Sequence, residues 1–358
     1  MNLTCVRIAH VRIVQDAEFS PVSGLNLIVG ENAAGKTSVL EALYVLGRGK
    51  TLTGTPTSHL TRHGEHSFQV EGKIQLPDLT DIPLKLVWDN NKLIPSRAGH
   101  PLAKVSELAN LLPLQALGPF SYPLIEGGPE YRRRFLDWGV FHVKQDYAQH
   151  WGRFQRALRQ RNTGLKQGLD QKMTAAWNQE FLETAQTLER HRRESFKQLK
   201  THIEHDTLLA SLGVTVDYYP GWNTSMALPE HLMQSLKADQ DRGFTWYGPQ
   251  RADLVIKSGT HLARDVCSRS EKKMMTFCLL LVQAQMLVAS ETDKRPVVLV
   301  DDISSELDRK NTEKMIAKLA SLKTQTFITA IQPDHIPQAS WDSVATFHVK
   351  QGRVNRVV

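Results

Sequence analysis

Gly30-Glu31-Asn32-Ala33-Ala34-Gly35-Lys36-Thr37 fits the pattern G-x-x-x-x-G-K-[ST] of a phosphate-binding loop. The apolar segment 25–29 before it predicts a buried strand, and the spacing of Val39, Leu43 and Leu46 after it predicts a helix. A strand, a glycine-bearing loop and a helix in this order are the context that the motif requires. The sequence therefore predicts an α/β fold with a phosphate site at a helix N-terminus.

The chemistry of such a loop explains its residue types. Glycines let successive backbone N–H groups converge on phosphate oxygens, and the partial positive charge of the helix N-terminus favours an anion. Lys36 would reach the β- and γ-phosphates of ATP, and the hydroxyl of Thr37 would ligate Mg²⁺. The predicted nucleotide-binding residues are Gly30, Glu31, Asn32, Ala33, Ala34, Gly35, Lys36, Thr37 and Ser38.

A second motif supplies the carboxylates that ATP chemistry needs. The all-apolar run 297–300 suits a buried parallel strand, and Asp301 and Asp302 follow it directly. Open α/β sheets bind ligands at the carboxyl ends of their strands, so Asp301 would hold Mg²⁺ and Asp302 would orient or deprotonate the attacking water. Strands that end in acidic residues are common, so Asp301 and Asp302 indicate an ATP site only because the phosphate-binding loop is also present.

Composition excludes several classes of protein. The chain has 358 residues, 41% of them hydrophobic and 23% charged, as in an ordinary globular protein. Its apolar runs stop well short of the ~20 residues that cross a bilayer, so no membrane association is expected. The first ten residues include Arg7 and His10 where a signal peptide needs an apolar block, and three scattered cysteines predict neither disulfides nor a zinc site. We expect a reducing, cytoplasmic location.

The net charge of +7 is concentrated in one region. Residues 131–200 contain 15 Lys+Arg and 7 Asp+Glu, a local net charge of +8. Aromatic and leucine residues recur there at helical spacing, and Trp151, Phe154, Trp177 and Phe181 are expected in a helical core. The basic residues are either a solvated helical face or a surface that binds the DNA backbone. On the second interpretation the candidate DNA-binding residues are Arg153, Arg156, Arg159, Arg192, Arg193 and Lys197.

Two further segments resemble those of ABC-type ATPases. Cys267-Ser268-Arg269-Ser270-Glu271-Lys272-Lys273 resembles their signature motif, and Ser304-Ser305-Glu306-Leu307-Asp308 resembles their D-loop. In that family the signature serine of one protomer completes the ATP site of another, so that ATP joins a head-to-head homodimer. The resemblance implies that Ser268 contacts the γ-phosphate and takes part in catalysis with Lys36, Asp301 and Asp302. Taken alone, the segment around Ser268 fits a helix N-cap better than a phosphate contact, and only its order among the other motifs favours the signature motif.

Within these ATPases the chain resembles the RecF family of bacterial recombination proteins over nearly its whole length. The resemblance lies in residues 30–42, 127–137, 247–254 and 301–308, of which 127–137 and 247–254 distinguish this family from other ABC-type ATPases. It implies an ATPase head with a mixed sheet, formed by residues 1–118 and 246–358, and an inserted basic helical lobe at 119–245. It also implies an ATP-dependent homodimer on DNA, with slow hydrolysis for release.

The same resemblance implies a biological role. This role is recombinational repair of gapped DNA, replication restart and the SOS response, with binding to double-stranded and single-stranded DNA. The partners implied are RecO and RecR mediators and, indirectly, the RecA recombinase. The hydrolysis of ATP would be weak and stimulated by DNA, so that it acts as a switch.

Two other functions stay open. One is an energy-coupling ABC-type ATPase of a transporter or nuclease complex, although 232 residues separate Lys36 from Ser268 and residues 326–332 contain no histidine. The other is a protein that mainly binds ATP, because Asp302 is one methylene shorter than the glutamate common in related ATPases. His202 and His205 lie three residues apart, but no further ligand follows at metal spacing, and they do not predict a metal site.

Overall fold

The computed structural model describes residues 2–76, 78, 80–144, 146–169, 171–290, 292, 294–303 and 307–357, with the backbone alone for 171–175 and 335. The chain forms two compact units. The first unit combines Met1–Tyr122 with Thr276–Val358, and the second is Pro123–Met275.

The described residues form both strands and helices. The strands are β1 Asn2–Val11, β2 Val14–Phe19, β3 Leu25–Val29, β4 Phe68–Gln75, β5 Asp81–Asp89, β6 Lys92–Arg97, β7 His100–Pro101, β8 Leu114–Leu117, β9 Val214–Tyr219, β10 Asp253–Ser258, β11 His261–Leu262, β12 Val297–Val300, β13 Thr326–Ala330, β14 Val344–Lys350 and β15 Arg353–Val357. The α-helices are α1 Lys36–Arg48, α2 Ser106–Leu111, α3 Pro123–Glu126, α4 Pro129–Val143, α5 Tyr147–Lys166, α6 Gln171–Glu204, α7 Thr207–Ser211, α8 Leu228–Gln234, α9 Leu236–Arg242, α10 Ala263–Val266, α11 Arg269–Val288 and α12 Arg309–Ser321.

The first unit contains a mixed sheet in the order β15-β14-β3-β13-β12-β8. Its neighbouring strands pair in parallel except for the antiparallel pair of β14 and β15. Every residue of β3, β12 and β13 is buried, which is why these strands show no alternation of apolar and polar residues and why β12 is entirely apolar. The predicted α/β class with a mixed sheet is confirmed, and the predicted strand at 297–300 is β12.

An antiparallel sheet in the order β2-β1-β4-β5-β6-β7 completes the first unit. Buried residues alternate with half-exposed ones along β4, as the period-two pattern of its sequence predicts. Strand β2 is not among the elements that the sequence predicts. Arg12 has a positive φ of 54° and turns the chain between Val11 and Val14, which are paired across the hairpin.

The second unit is a helical assembly with a small antiparallel sheet, β11-β10-β9. Phe154 of α5 and Phe181 of α6 are fully buried in its core and stack at 5.5 Å between ring centroids. Trp151, in the first turn and a half of α5, is 43% exposed, so its assignment to the core is wrong.

Residues 246–275 belong to the second compact unit. The reason is the pairing of β10 with β9, which holds this segment in the helical unit. The net charge is consequently divided less unequally between the two units than the value for residues 131–200 suggests. Residues 123–275 contain 23 Lys+Arg and 18 Asp+Glu, a net charge of +5, and the first unit accounts for the remaining +2.

Helices of membrane-spanning length and hydropathy are absent from the described part of the chain.

Candidate nucleotide-binding site

The phosphate-binding loop lies where the sequence predicts it, between the end of β3 and the start of α1. Gly30 approaches the carbonyl oxygen of Val349 so closely that a Cβ would collide with it. Gly35 is the N-cap of α1 and has φ 113°, a conformation that favours glycine. Ala33 also has a positive φ, 61°, and the carbonyl of Ala34 accepts a hydrogen bond from the N–H of Gly352 at 2.9 Å.

The first turn of α1 is free to bind an anion. Gly35 has no side chain with which to cap the helix, and the first turn contains no acidic residue. The unpaired N–H groups of a helix N-terminus carry partial positive charge, which phosphate oxygens neutralise. In the loop itself Glu31, Asn32 and Ala33 are exposed and Ser38 is half-buried.

Lys36 is buried against the loop that precedes it. Its Nζ donates hydrogen bonds to the carbonyl oxygens of Gly30 at 2.8 Å and Glu31 at 2.9 Å. An ammonium group has three N–H donors, so one donor remains for a phosphate oxygen. The two carbonyls hold the charge inside the loop, and only 8% of the residue is exposed.

The two predicted Mg²⁺ ligands meet in the structure. The hydroxyl of Thr37 lies 3.1 Å and 3.2 Å from the carboxylate oxygens of Asp301, although 264 residues separate them in sequence. The carboxylate follows β12, and Thr37 belongs to the first turn of α1. Hydroxyl and carboxylate oxygens are the hard ligands that Mg²⁺ prefers, and a cation here would offset the cost of the buried carboxylate. This pair therefore fits a magnesium ion.

Thr329, at the end of β13, positions both acidic residues and was not identified from the sequence. Its hydroxyl donates to Oδ1 of Asp301 at 2.8 Å and accepts from the backbone N–H of Asp302 at 2.8 Å. The backbone of Asp302 has a positive φ of 49°, which non-glycine residues adopt at a cost of about 1 kcal/mol or more. Because β12 and β13 are parallel neighbours, their carboxyl ends meet at this point.

Replacing Thr329 with valine is expected to slow ATP hydrolysis about tenfold, the effect of losing one hydrogen bond to a charged group. Valine has nearly the same shape as threonine but can neither donate a hydrogen bond to the Asp301 carboxylate nor accept one from the N–H of Asp302. Thr329→Ser retains the hydroxyl and should restore the rate. Steady-state turnover of the three proteins tests this, and equal kcat in Thr329→Val and wild type would contradict it.

Burial raises the pKa of Asp301 above its ordinary value of 3.8, and the hydrogen bonds from Thr329 and Thr37 oppose this shift. An acid whose pKa is raised on folding destabilises the folded state wherever it is ionised there. That cost is present above the raised pKa and disappears below the ordinary value, where the carboxyl is protonated in both states. The nucleotide-free protein is thus weakened at neutral pH by a group that a cation would neutralise.

We therefore expect Asp301→Asn to increase the free energy of unfolding of the nucleotide-free protein at pH 7. The increase should shrink as the pH is lowered toward 4, and urea unfolding across this pH range measures it. The exposed Asp265 provides a control, because Asp265→Asn should change stability little at any pH. A variant less stable than wild type at pH 7 would contradict the argument.

Ser268 lies at the N-terminus of α11, in the second unit. Its backbone N–H and its hydroxyl both donate to Oε2 of Glu271 at 2.8 Å, and its hydroxyl accepts from the N–H of Glu271 at 3.3 Å. This is a capping box, and these hydrogen bonds lower the pKa of Glu271. The helix-cap interpretation is thereby confirmed, and the role of Ser268 toward ATP stays a prediction. Of the predicted D-loop, Ser304, Ser305 and Glu306 lie outside the described residues.

The predicted DNA-binding residues divide into exposed and buried groups. Arg156 and Arg159 on α5 and Lys197 on α6 are exposed, and no salt bridge to them occurs among the described residues. Arg153 pairs with Glu180 at 3.0 Å, and Arg193 pairs with Glu189 at 2.6 Å. The side chains of both arginines remain about half-exposed.

Arg192 has a different position, which excludes it from the DNA-binding set. Only 3% of the residue is exposed, and its guanidinium donates two hydrogen bonds to Asp137 at 2.7 Å and 2.9 Å. A third goes to the carbonyl of Pro249 at 2.7 Å. A guanidinium that is buried and fully engaged does not offer its charge to a ligand at the surface.

Two of the four segments that carry the RecF resemblance, 127–137 and 247–254, contact each other inside the second unit. Arg132 donates two hydrogen bonds to Asp253 at 2.7 Å and 3.0 Å, and Arg133 donates to the carbonyl of Ala252 at 2.8 Å. Residues 127–137 and 247–254 are therefore joined by an ion pair and by a hydrogen bond from a side chain to a backbone carbonyl. They serve the internal structure of this unit.

Comparison with known proteins defines the class. The family model described as RecF/RecN/SMC N terminal domain matches residues 3–355. The DNA replication and repair protein RecF of Pseudomonas fluorescens is 37% identical, over 99% of this chain and 98% of its own length. That of Stutzerimonas stutzeri is 36% identical, over 100% of this chain and 98% of its own. The chain belongs to the RecF family.

Solved structures show the same fold. A structure of the recombination mediator protein RecF with ATP, in the RecFOR pathway, has a TM-score of 0.88 at 24% identity and covers 99% of both chains. The Smc head domain of Pyrococcus furiosus bound to the C-terminal domain of ScpA has a TM-score of 0.59 at 13% identity, over 99% of this chain and 95% of that one. The fold of the ATPase head that the resemblance implies is thus confirmed.

Proposed function

We propose that this protein is an ATP-switched DNA-binding protein that acts in recombinational repair of gapped DNA, in replication restart and in the SOS response. One observation carries the proposal: the ammonium of Lys36, the hydroxyl of Thr37 and the carboxylate of Asp301 converge at the carboxyl edge of a mixed sheet. Relatives named for DNA replication and repair, and a relative solved with ATP, support it.

The loop residues would divide the work of binding ATP. The N–H groups of the loop and of the first turn of α1 would bind the β- and γ-phosphates, and the ammonium of Lys36 would neutralise their negative charge. Thr37 and Asp301 would hold Mg²⁺, which supplies charge neutralisation for the phosphates. Asp302 would accept a proton from the attacking water, and Thr329 would keep its backbone in place.

Ser268 would act on a second copy of the chain. It lies at the N-terminus of a 20-residue helix, where the helix dipole favours an anion. In the proposed head-to-head dimer this serine would contact the γ-phosphate bound by the partner subunit. ATP would then stabilise the dimer because it binds the dimer more tightly than the monomer. Hydrolysis would remove that contact and release the DNA.

The exposed basic residues of the second unit would contact DNA. Arg156 and Arg159 are three residues apart on α5 and lie on one face of that helix, as do Arg193 and Lys197, four apart on α6. Arg153 lies one turn before Arg156 and would join them. Double-stranded and single-stranded DNA are the proposed ligands, with RecO and RecR as protein partners that help to load RecA.

ATP hydrolysis measured with and without linear DNA separates the proposed switch from the energy-coupling ATPase that the sequence leaves open. A DNA-binding switch should turn over slowly and be stimulated by DNA. An energy-coupling ATPase of a transporter or nuclease complex should hydrolyse ATP strongly without DNA. Asp302→Asn identifies the base, because a rate equal to that of wild type would show that Asp302 does not activate water. Thr37→Ala should raise the Mg²⁺ concentration needed for half-maximal turnover.

Charge reversal at Arg156, Arg159 and Lys197 tests the DNA surface. Each neutralised phosphate contributes about 0.9 to the slope of log affinity against log salt concentration, so the triple variant should have a slope flatter by about 0.9 for each phosphate that it no longer neutralises. Its affinity for ATP should be unchanged. Arg356→Glu, at an exposed position of the first unit, is the matched control. An unchanged slope in the triple variant would place the DNA elsewhere.

A further inference from the structure

Three potential metal ligands converge in the second unit, away from the phosphate-binding loop in sequence. Among the residues that the structure describes, Asp146, His150 and His191 offer one ligand atom each, and all these atoms lie within 4.8 Å of one another. Asp146 precedes α5, His150 is in its first turn, and His191 lies on α6. The sequence separates His150 from His191 by 41 residues, which no local spacing rule detects.

The separations between ligand atoms suit a small metal ion. Nε2 of His150 lies 3.2 Å from Oδ2 of Asp146, and Nε2 of His191 lies 3.9 Å from Oδ1 of the same carboxylate. Ligands about 2.0–2.1 Å from a tetrahedral zinc ion are about 3.3–3.4 Å apart, so the two distances lie on either side of that value. The two imidazole rings are 5.7 Å apart between centroids.

His191 provides a second, independent observation. Only 8% of this residue is exposed, and neither ring nitrogen has a hydrogen-bond partner among the described residues. A buried polar atom without a hydrogen-bond partner destabilises the folded protein, and coordination of Nε2 would remove that cost.

Asp146 is not needed by its own helix. It occupies the N-cap position of α5, but its side chain accepts no capping hydrogen bond. Its carboxylate instead faces the two imidazoles, and 56% of the side chain is exposed, so that solvent can reach the cluster. If Asp146 served only to pair with His150, it would not explain why the ring of His191 is buried without a hydrogen-bond partner among the described residues.

We propose that Asp146, His150 and His191 form a binding site for a divalent transition-metal ion of the zinc type. Two imidazoles and one carboxylate are a frequent ligand set for Zn²⁺, with water in the remaining position. The ion links the first turn of α5 to the middle of α6 and so stabilises the helical unit. The sequence alone suggested His202 and His205 as a histidine pair, but each instead contacts a carbonyl of its own helix.

Cobalt titration of the untagged full-length chain tests the site. The protein is first stripped with a chelator, and excess Mg²⁺ occupies the site at Thr37 and Asp301. We expect one equivalent of Co²⁺ to bind with the visible absorption of a low-coordinate ion, and Zn²⁺ to displace it. Asp146→Asn and His150→Gln, both at accessible positions, should weaken binding more than about tenfold, since even residues that only hydrogen-bond a metal ligand contribute this much.

His202→Gln is the matched control, on the same helix as His191, and should bind Co²⁺ like wild type. His191→Gln should abolish the spectrum, and the two accessible variants keep the test valid if that protein does not fold. Zn²⁺ should raise the melting temperature of wild type and of His202→Gln, but not of His150→Gln. Equal Co²⁺ affinity in wild type and in the Asp146 and His150 variants would overturn the proposal.

Discussion

Replacing Lys36 with methionine is expected to weaken ATP binding at least about thirtyfold, since losing a buried, hydrogen-bonded charge partner costs about 2–5 kcal/mol. The ammonium of Lys36 is fixed by the carbonyls of Gly30 and Glu31, so it is oriented before a phosphate arrives. Methionine retains the length of the side chain but leaves the carbonyls and the phosphates without a cation. Nucleotide titration by calorimetry measures the change.

Two controls make the Lys36 result specific. Lys104, an exposed lysine of the same unit, should tolerate methionine with no effect on ATP affinity. Thermal unfolding of nucleotide-free Lys36→Met should show that the protein remains folded. Affinity for ATP within threefold of wild type would mean that this loop does not bind the phosphates in the way proposed.

The second large effect concerns stability. Arg192→Ala is expected to reduce the free energy of unfolding of the second unit by about 3–5 kcal/mol, because it leaves a buried ion pair without one partner. The guanidinium of Arg192 satisfies Asp137, the carbonyl of Pro249 and the hydroxyl of Tyr147 together. Arg192→Lys should be almost as harmful, because a lysine cannot form the paired hydrogen bonds to a carboxylate. Denaturant unfolding measures both variants.

Arg190, two residues earlier on α6, is exposed and supplies the comparison. Arg190→Ala should change the free energy of unfolding by no more than about 0.5 kcal/mol, as is usual for surface substitutions. Equal effects of Arg190→Ala and Arg192→Ala would contradict the distinction drawn between the two arginines. Basic residues on one helix thus serve different purposes according to the face on which they lie.

The sequence could have shown that Arg192 is buried. Leu188, Arg192, Ser195 and Leu199 recur at helical spacing, and all four are buried along one face of α6. A count of basic residues treats them as equivalent and ignores this face. The spacing could not identify the partner of Arg192, because Asp137 is 55 residues away in sequence and lies on another helix.

The nucleotide site was predictable to the extent that its chemistry is local. The pattern from Gly30 to Thr37 predicts the strand before it, the loop and the helix after it. Asp301 follows four apolar residues in a row, and such a run indicates a buried strand. Thr329 was not predictable, because its role depends on β13 lying beside β12, and a threonine at a strand end is ordinary in sequence. The same limit applies to His191, whose ligand role depends on the packing of α5 against α6.

The proposed switch requires ATP to join two copies of the chain on DNA, and analytical ultracentrifugation tests this most directly. Wild type is sedimented with gapped duplex DNA, with and without Mg²⁺ and ATP, and Lys36→Met is run under the same conditions. We predict that ATP shifts wild type from monomer to DNA-bound dimer and leaves Lys36→Met unchanged. The same monomer fraction of wild type with and without ATP would contradict the switch.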